Sequence, residues 1–259
     1  MNMQISPIQN KFCYNKPVNT NFRAYGEVRY LSASGGETLG NVKHFTTTWL
    51  NRDRLPEIMV YFTEKYKNVP KVNTHVFGCA NGSEPYSIAM LVHSGSGMEG
   101  LKKFTPIKAV DCDAGAIYRA ESGIITLEPF EIGDVEKYTN GRFKEYFFSD
   151  YDQNKYDIRK WYVEPILRNN VRFSVGDALE EYKKVEPDNS IVFVRNMWPY
   201  LNIEDRFKLA RGLYSQFDKN CHLIIGSFDI EDLLRGRPVE EFLFDAGFKK
   251  TPVQYVYEK

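Results

Sequence analysis

The sequence predicts an α/β fold in which a mostly parallel β-sheet is covered by helices. Three observations lead to this prediction. From residue 72 onward, short apolar runs alternate with amphipathic helical segments. We interpret these short apolar runs as strands buried on both faces, in a sheet that helices cover on both sides. A chain of 259 residues is also long enough to bury a large core.

The N-terminal part of the chain precedes this alternation. Residues 1–40 are rich in Asn, Ser, Thr, Gly and Pro without a sustained hydrophobic period, and we expect a flexible arm there. Residues 41–70 are predicted to form a short helical segment. The apolar residues that recur at helical spacing in this segment are Leu55, Ile58, Met59, Phe62 and Tyr66.

The alternating elements make up the predicted main domain, residues 71–259. Its predicted strands are HVFGC, IKAVDCD, VRFSVGDA, SIVFVRN, HLIIGSF and VQYVYEK. Its predicted helices are EPYSIAMLVHS, GAIYRAES, IEDRFKLARGLYSQF and EEFLFDAGF. Residues 127–170 interrupt the pattern and are too long and too aromatic for a plain loop. We expect a small insertion there, with its own helix and strands, near the active face.

Composition argues against several classes of partner. The chain has 34 basic and 34 acidic residues and no long basic run, so neither nucleic acid nor a membrane surface is expected as a partner. No run approaches the ~20 apolar residues that span a bilayer, and the N-terminus has no apolar segment of secretory type. We therefore expect a cytoplasmic protein, and we expect it to act as a monomer.

Cysteine and histidine residues are scattered along the chain. Four of each are present, and no pair has the spacing of a zinc site, so no metal site is predicted. The thiols are expected to be reduced and mostly buried, as in an intracellular protein.

Polar residues and glycines follow four successive predicted strands. In an open parallel sheet, ligands bind beyond the carboxyl ends of the strands. Glycines permit a positive φ and a close approach of the backbone to a ligand. The residues at these four strand ends are Gly78, Gly82, Glu84, Asp111, Asp113, Asp177, Ala178, Arg195, Asn196 and Tyr200.

The turn GCANGSEP after the first strand lacks two common phosphate-binding patterns, G-x-G-x-x-G and G-K-[ST]. A nucleoside ligand without phosphates fits better. A carboxylate carried by such a ligand could bind the free N–H groups at the helix start, and Asp111 could accept hydrogen bonds from the ribose hydroxyls. S-adenosylmethionine has these parts, and its sulfonium and amine favour an acidic neighbour such as Glu84.

Several of these residues also have a purely structural interpretation. Asp113 is more readily a helix N-cap than a ligand contact, and Asp111 alone is equally compatible with either role. Tyr200 alone would be a packed aromatic residue, and Arg52 alone a surface ion pair. The combination across four strand ends favours a ligand site.

The motifs resemble those of the CheR family, the chemotaxis-receptor glutamate O-methyltransferases. The family pattern G-C-S/A-T-G-E-E-P-Y-S-I-A-M is similar to residues 78–90, and A-T-D-I-D is similar to residues 109–113. The pattern C-R-N-V-x-I-Y-F is similar to residues 194–201, and T-x-F-F-R-[DE] to residues 48–53. The resemblance covers roughly residues 45–259.

The resemblance implies a Rossmann-like class I methyltransferase fold with a mostly parallel seven-stranded sheet, a short helical N-terminal segment and a small inserted subdomain. It also implies S-adenosyl-L-methionine as methyl donor and a chemoreceptor cytoplasmic domain as a possible partner. Arg52 and Tyr200 would be the catalytic pair beside the transferred methyl group. With the glycine turn included, the expected cofactor-binding residues are Thr46, Thr48, Arg52, Gly78, Gly82, Glu84, Asp111, Asp177, Ala178, Arg195 and Asn196.

The leading functional prediction is an O-methyltransferase that methylates glutamate carboxylates of a chemoreceptor-like protein. Two alternatives stay open: another protein or a small molecule as acceptor, and a non-catalytic protein that binds S-adenosylmethionine or S-adenosylhomocysteine. Departures from the family pattern motivate the non-catalytic alternative. Asn81 and Ser83 stand in place of Thr and Glu, and Leu50 and Asn51 in place of two phenylalanines.

Overall fold

The computed structural model describes residues 54–149, 160–230 and 237–259, all of which belong to one compact unit, His44–Lys259. The predicted arm, residues 1–40, lies outside the described residues. Three predicted site residues, Thr46, Thr48 and Arg52, also lie outside them.

The described strands form two sheets. They are β1 (Asn73–Phe77), β2 (Ile107–Asp111), β3 (Ile124–Thr126), β4 (Phe147–Phe148), β5 (Lys160–Val163), β6 (Val171–Val175), β7 (Ser190–Phe193), β8 (His222–Ile224), β9 (Lys249–Lys250) and β10 (Val256–Glu258). The larger sheet has seven strands in the order β6-β2-β1-β7-β8-β10-β9. Its first five strands are parallel, and β10 is antiparallel to both of its neighbours. The predicted mostly parallel seven-stranded sheet is confirmed.

The described helices follow the predicted alternation. They are α1 (Leu55–Lys65), α2 (Ser83–Phe104), α3 (Ala114–Ser122), α4 (Pro129–Thr139), α5 (Phe143–Tyr146), α6 (Pro165–Arg168), α7 (Ala178–Glu181), α8 (Ile203–Gln216), α9 (Ser227–Ile230) and α10 (Val239–Ala246). The helical prediction for the described part of residues 41–70 is confirmed, because the apolar stripe of α1 is buried in the core. No helix among the described residues is long and apolar enough to cross a bilayer.

Burial explains which strands the sequence predicted well. The central strands β7 and β8 are buried along their whole length, as expected of strands covered on both faces. The strand β6 differs, because it lies at the edge of the sheet and is largely exposed from Arg172 onward. The prediction that all these strands are buried on both faces was therefore wrong for β6.

Two short elements differ from the sequence prediction. The run HLIIGSF is a strand only as far as Ile224, and its last residues begin α9. The strand β9 was missed, because its two residues, Lys249 and Lys250, are exposed and carry no apolar signal. A short edge strand with lysine side chains is a common feature of natural sheets.

The predicted insertion has its own helices and strands. The strands β3, β5 and β4 form a separate antiparallel sheet. Its described part packs on α2 well beyond the helix start: Tyr146 Oη lies 2.9 Å from His93 Nδ1, and the Arg142 guanidinium donates to the Ser94 carbonyl at 2.9 Å. These contacts are more than two turns from the helix N-terminus. At its other end, Pro165 and Arg168 of α6 line a pocket together with Tyr86 in the first turn of α2. The expected position of the insertion near the active face stays a prediction.

A buried histidine makes stability depend on pH. His222 is 1% exposed, with Nδ1 2.8 Å from the Tyr66 hydroxyl and Nε2 3.5 Å from a Glu258 oxygen. Burial lowers the pKa of His222 to about 4, with Lys65 adding to the decrease and Glu258 opposing it. The unfolded chain binds this proton near pH 6.5, whereas the folded chain binds it only near pH 4.

The free energy of unfolding should therefore fall as the pH drops from 6.5 to about 4, with about 3 kcal/mol of the loss due to His222. Urea denaturation of the wild type and of His222→Gln at several pH values measures this contribution. His222→Gln should lose most of the pH dependence that His222 causes. It should keep the pH dependence due to His75 and His93, whose pKa values burial also lowers. An identical pH slope in both proteins would contradict the prediction.

Candidate functional site

A tight turn follows β1 and leads into α2. Three of its residues have positive φ: Gly78 at 71°, Ala80 at 48° and Gly82 at 85°. A Cβ on Gly82 would lie 2.9 Å from the Phe173 ring, and one on Gly78 would lie 3.3 Å from the Met197 side chain. Positive φ therefore disfavours a side chain at both glycines, and at Gly82 the close packing against Phe173 adds to this effect.

Asp111 joins this turn to the end of β2. Its Oδ2 accepts a hydrogen bond from the Ala80 amide at 2.9 Å, and its Oδ1 accepts one from the Asp113 amide at 2.9 Å. The Asp111 carboxylate thus holds the glycine turn at the edge where the carboxyl ends of β1 and β2 meet. The next aspartate has the structural role: Asp113 accepts from the Gly115 amide at 2.8 Å and caps α3. The N-cap interpretation of Asp113 is confirmed.

Two residues that depart from the family pattern contact each other. The Asn81 side-chain oxygen accepts hydrogen bonds from the Ser83 amide at 3.2 Å and from the Ser83 hydroxyl at 2.8 Å. Ser83 is 2% exposed. Since the bonds lie within the turn, this pair stabilises the start of α2 in the same way as a helix cap.

An ion pair connects the start of α2 to the end of β7. Arg195 Nη1 lies 3.4 Å from Glu84 Oε2, and the two side chains are 3% and 16% exposed. The neighbouring Cys79 is buried, and this burial raises the pKa of its thiol well above 9.0, with Asp111 and Glu84 adding to the increase. Cys79 is therefore a neutral packing residue and not a nucleophile.

The loop after β7 carries two further predicted site residues. Asn196 has a left-handed backbone with φ of 56°, and its buried side-chain Oδ1 has no hydrogen-bond partner among the described residues. A buried acceptor of this kind is costly unless a ligand or water donates to it, so it fits a ligand site. Tyr200 ends the short turn Trp198–Tyr200, and its amide donates to the Met197 carbonyl at 3.1 Å.

The end of β6 adjoins that of β2. The Gly176 amide donates to the Asp111 carbonyl at 3.0 Å, which places the following residues at the same edge of the sheet. Asp177 caps α7 by accepting from the Leu179 amide at 2.9 Å, and burial raises the pKa of its carboxyl group. Asp177 and Ala178 thus lie at the predicted edge, with one Asp177 oxygen engaged in a structural hydrogen bond.

Sequence reasoning missed one buried carboxylate at this edge. Asp229 is fully buried, and it accepts hydrogen bonds from the backbone amides of Asn196, Trp198 and Gly226. The signal in the sequence was an acidic residue directly after the run HLIIGSF, which was predicted as a strand. No cluster of three or more His, Cys, Asp or Glu side chains within the described ranges could hold a metal ion.

The structure therefore brings together most of the predicted site residues that it describes. Asp111 contacts the glycine turn, Arg195 contacts Glu84, and Asn196 follows directly on the strand next to β1. Together they offer carboxylate acceptors for hydroxyl and cationic groups. The Ser83 and Tyr86 amides are already hydrogen-bonded and Pro85 has no N–H group, so the expected free N–H groups at the start of α2 are not available at these three residues. A ligand that carries ribose hydroxyls and a positive charge matches this arrangement.

Comparison with known proteins identifies sequences similar to this one. The family described as CheR methyltransferase, SAM binding domain, matches residues 45–235. A chemotaxis protein methyltransferase of Borreliella burgdorferi is 26% identical over 211 residues, which are 81% of this chain and 68% of that protein. A methyltransferase of Pseudomonas putida is 30% identical over 171 residues, which are 63% of this chain and 56% of that protein.

Among solved structures, the magnesium protoporphyrin IX methyltransferase of Synechocystis with bound S-adenosylmethionine is similar to this chain. The match has a TM-score of 0.39 and 14% identity, and it covers 78% of this chain and 74% of that one. A likeness this distant supports no conclusion about the present chain.

Proposed function

Since this chain belongs to the CheR methyltransferase family, we propose that it methylates glutamate carboxylates of a chemoreceptor-like protein in the cytoplasm. The activity class and the methyl donor follow from the family, because the matched domain binds S-adenosylmethionine. The chain is thus an S-adenosylmethionine-dependent methyltransferase. The acceptor is the proposed part, and its support is that the relative from Borreliella burgdorferi is a chemotaxis protein methyltransferase.

One observation carries the proposed placement of the donor. Asp111 binds the glycine turn through one oxygen while standing at the end of the strand next to β1. A ribose beside Asp111 would place the attached methionine part toward the glycine turn and the start of α2. Glu84 lies in the first turn of α2, and its carboxylate can attract the amine and the sulfonium of the donor.

A glutamate acceptor makes few chemical demands on the protein. Its carboxyl pKa is about 4.3, so the carboxylate is already ionised at neutral pH and requires no general base. When bound, the donor supplies an electrophilic methyl group on a positively charged sulfur. The task of the chain is then to hold the carboxylate in line with that methyl group. We propose that Arg52 orients the acceptor carboxylate through a charge-assisted contact. We propose that the Tyr200 hydroxyl holds the other carboxylate oxygen or positions the sulfonium end of the donor.

Removal of the Tyr200 hydroxyl should affect turnover more than binding. Tyr200→Phe keeps the aromatic ring and its packing, so the affinity for S-adenosylhomocysteine should change by less than about threefold. The turnover number should fall by about tenfold or more, because a group that positions the reacting atoms is lost. Calorimetry and steady-state kinetics measure the two effects. A loss of affinity with unchanged turnover would show that Tyr200 binds the donor instead.

The proposed acceptor is tested with a methyl-labelled donor and the cytoplasmic fragment of a chemoreceptor. We expect label on glutamate residues as a base-labile ester, and none when the glutamates are replaced by alanine. Label on another protein or on a small molecule, with none on the receptor fragment, would identify a different acceptor and contradict the proposal. The variant Arg52→Ala serves as a control, since it should lose transfer to the true acceptor.

A further inference from the structure

A single buried carboxylate connects the loops that leave β7 and β8. Asp229 Oδ2 accepts from the Asn196 amide at 2.7 Å and from the Gly226 amide at 2.7 Å, and Oδ1 accepts from the Trp198 amide at 3.2 Å. Asp229 is 0% exposed. A carboxylate removed from water in this way is retained only when its hydrogen-bonding capacity is well used.

These hydrogen bonds determine the backbone of the loop after β7. Asn196 has a left-handed conformation, which is uncommon for a residue with a side chain and persists when its surroundings fix it. The bond from its own amide to Asp229 provides that constraint. The bond from Trp198 holds the loop again two residues later, and the indole Nε1 of Trp198 donates back to the Val194 carbonyl at 2.9 Å.

The loop that is held in this way carries the predicted ligand contacts. Asn196, whose Oδ1 has no hydrogen-bond partner in the described part of the chain, is also the residue whose amide donates to Asp229, and Tyr200 follows Trp198 by two residues. Met197, which packs against the glycine turn at Gly78, lies between Asn196 and Trp198, whose amides both donate to Asp229. A shift of this loop would therefore displace both the proposed donor contact and the proposed catalytic hydroxyl.

We propose that Asp229 is a positioning residue, which fixes the loop after β7 so that Asn196 and Tyr200 face the bound donor and the acceptor. Asp229 acts through the backbone of these residues and itself touches neither ligand. The proposal rests on the proposed function only for the role of Tyr200. Its other half, the orientation of Asn196 toward the donor, does not depend on which molecule accepts the methyl group.

The test compares Asp229→Asn with Asp188→Asn. The first variant keeps the shape of the side chain but directs an NH₂ group at backbone amides that need an acceptor. The second is a control with the same chemical change at the opposite end of the same strands, where the exposed Asp188 accepts a hydrogen bond from the Lys219 amide at 3.2 Å. Titration with S-adenosylhomocysteine, turnover at saturating donor and melting temperature are measured for both variants.

Asp229→Asn should weaken S-adenosylhomocysteine binding by about tenfold and lower turnover at saturating donor by about another tenfold. Asp188→Asn should change neither quantity. A variant Asp229→Asn that melts earlier but retains both affinity and turnover would overturn the proposal, since Asp229 would then only stabilise the fold. If the wild type methylates no receptor glutamate, the proposed acceptor fails, whereas the titration still tests Asp229.

The amide groups of the wild type provide a second measurement if Asp229→Asn does not fold. The amides of Asn196 and Gly226 should exchange slowly with solvent both with and without S-adenosylhomocysteine, because the carboxylate holds them before the ligand arrives. Rapid exchange of these two amides in the ligand-free protein would contradict a preformed loop and overturn the proposal.

Discussion

Replacing Asp111 by alanine should weaken the binding of S-adenosylhomocysteine by about 100-fold, which corresponds to about 2.7 kcal/mol. Two losses combine in this variant. The proposed ribose contact disappears, and a hydrogen bond to a charged group contributes about 1.5–3 kcal/mol. The amides of Ala80 and Asp113 also lose their acceptor, so the glycine turn keeps only its backbone bonds to the Val110 carbonyl at the end of β2.

The neighbouring aspartate provides the control for this variant. Asp113→Asn should leave the affinity unchanged within about threefold, because asparagine caps a helix as well as aspartate does. Calorimetric titration of both variants separates the ligand role from the structural one. Equal affinity in Asp111→Ala and the wild type would show that the ribose contact is misassigned.

Replacing Arg195 by methionine should lower the free energy of unfolding by about 3 kcal/mol at neutral pH. The guanidinium is paired with Glu84 in a nearly buried position, and removal of one partner from such a pair leaves a charge with poor solvation. Binding of the donor should be lost as well, because Glu84 would no longer be held in place at the start of α2. Urea denaturation and titration with S-adenosylhomocysteine measure the two effects.

Two further variants make the test specific. Lys67→Ala removes the partner of Glu64 from an exposed pair and should cost less than about 1 kcal/mol. The double variant Glu84→Gln with Arg195→Met should recover part of the stability that Arg195→Met loses, since no buried charge is left behind. A loss below about 1 kcal/mol in Arg195→Met would contradict the importance of this pair.

The sheet and the residues at its carboxyl edge could be predicted because their signals are local. Apolar runs such as SIVFVRN identify the buried central strands, and the residues directly after them must lie at the carboxyl edge of a parallel sheet. The cap role of Asp113 was predictable for the same reason, since it depends on an amide only two residues away.

The role of Asp229 could not be predicted, because its partners lie 31 and 33 residues earlier in the chain as well as 3 residues away. Nothing in the run SFDI distinguishes a fully buried carboxylate from an exposed one. The pairing of Asn81 with Ser83 was also missed. Each residue was compared with the family pattern separately, whereas their side chains form one hydrogen-bonded unit.

A structure of this chain with bound S-adenosylhomocysteine tests the placement of the donor most directly. We expect the ribose hydroxyls within about 3 Å of the Asp111 carboxylate, the methionine part beside the start of α2, and a ligand donor at Asn196 Oδ1. A ligand bound away from the carboxyl ends of β1, β2 and β7, or one with its ribose turned away from Asp111, would contradict the proposed site.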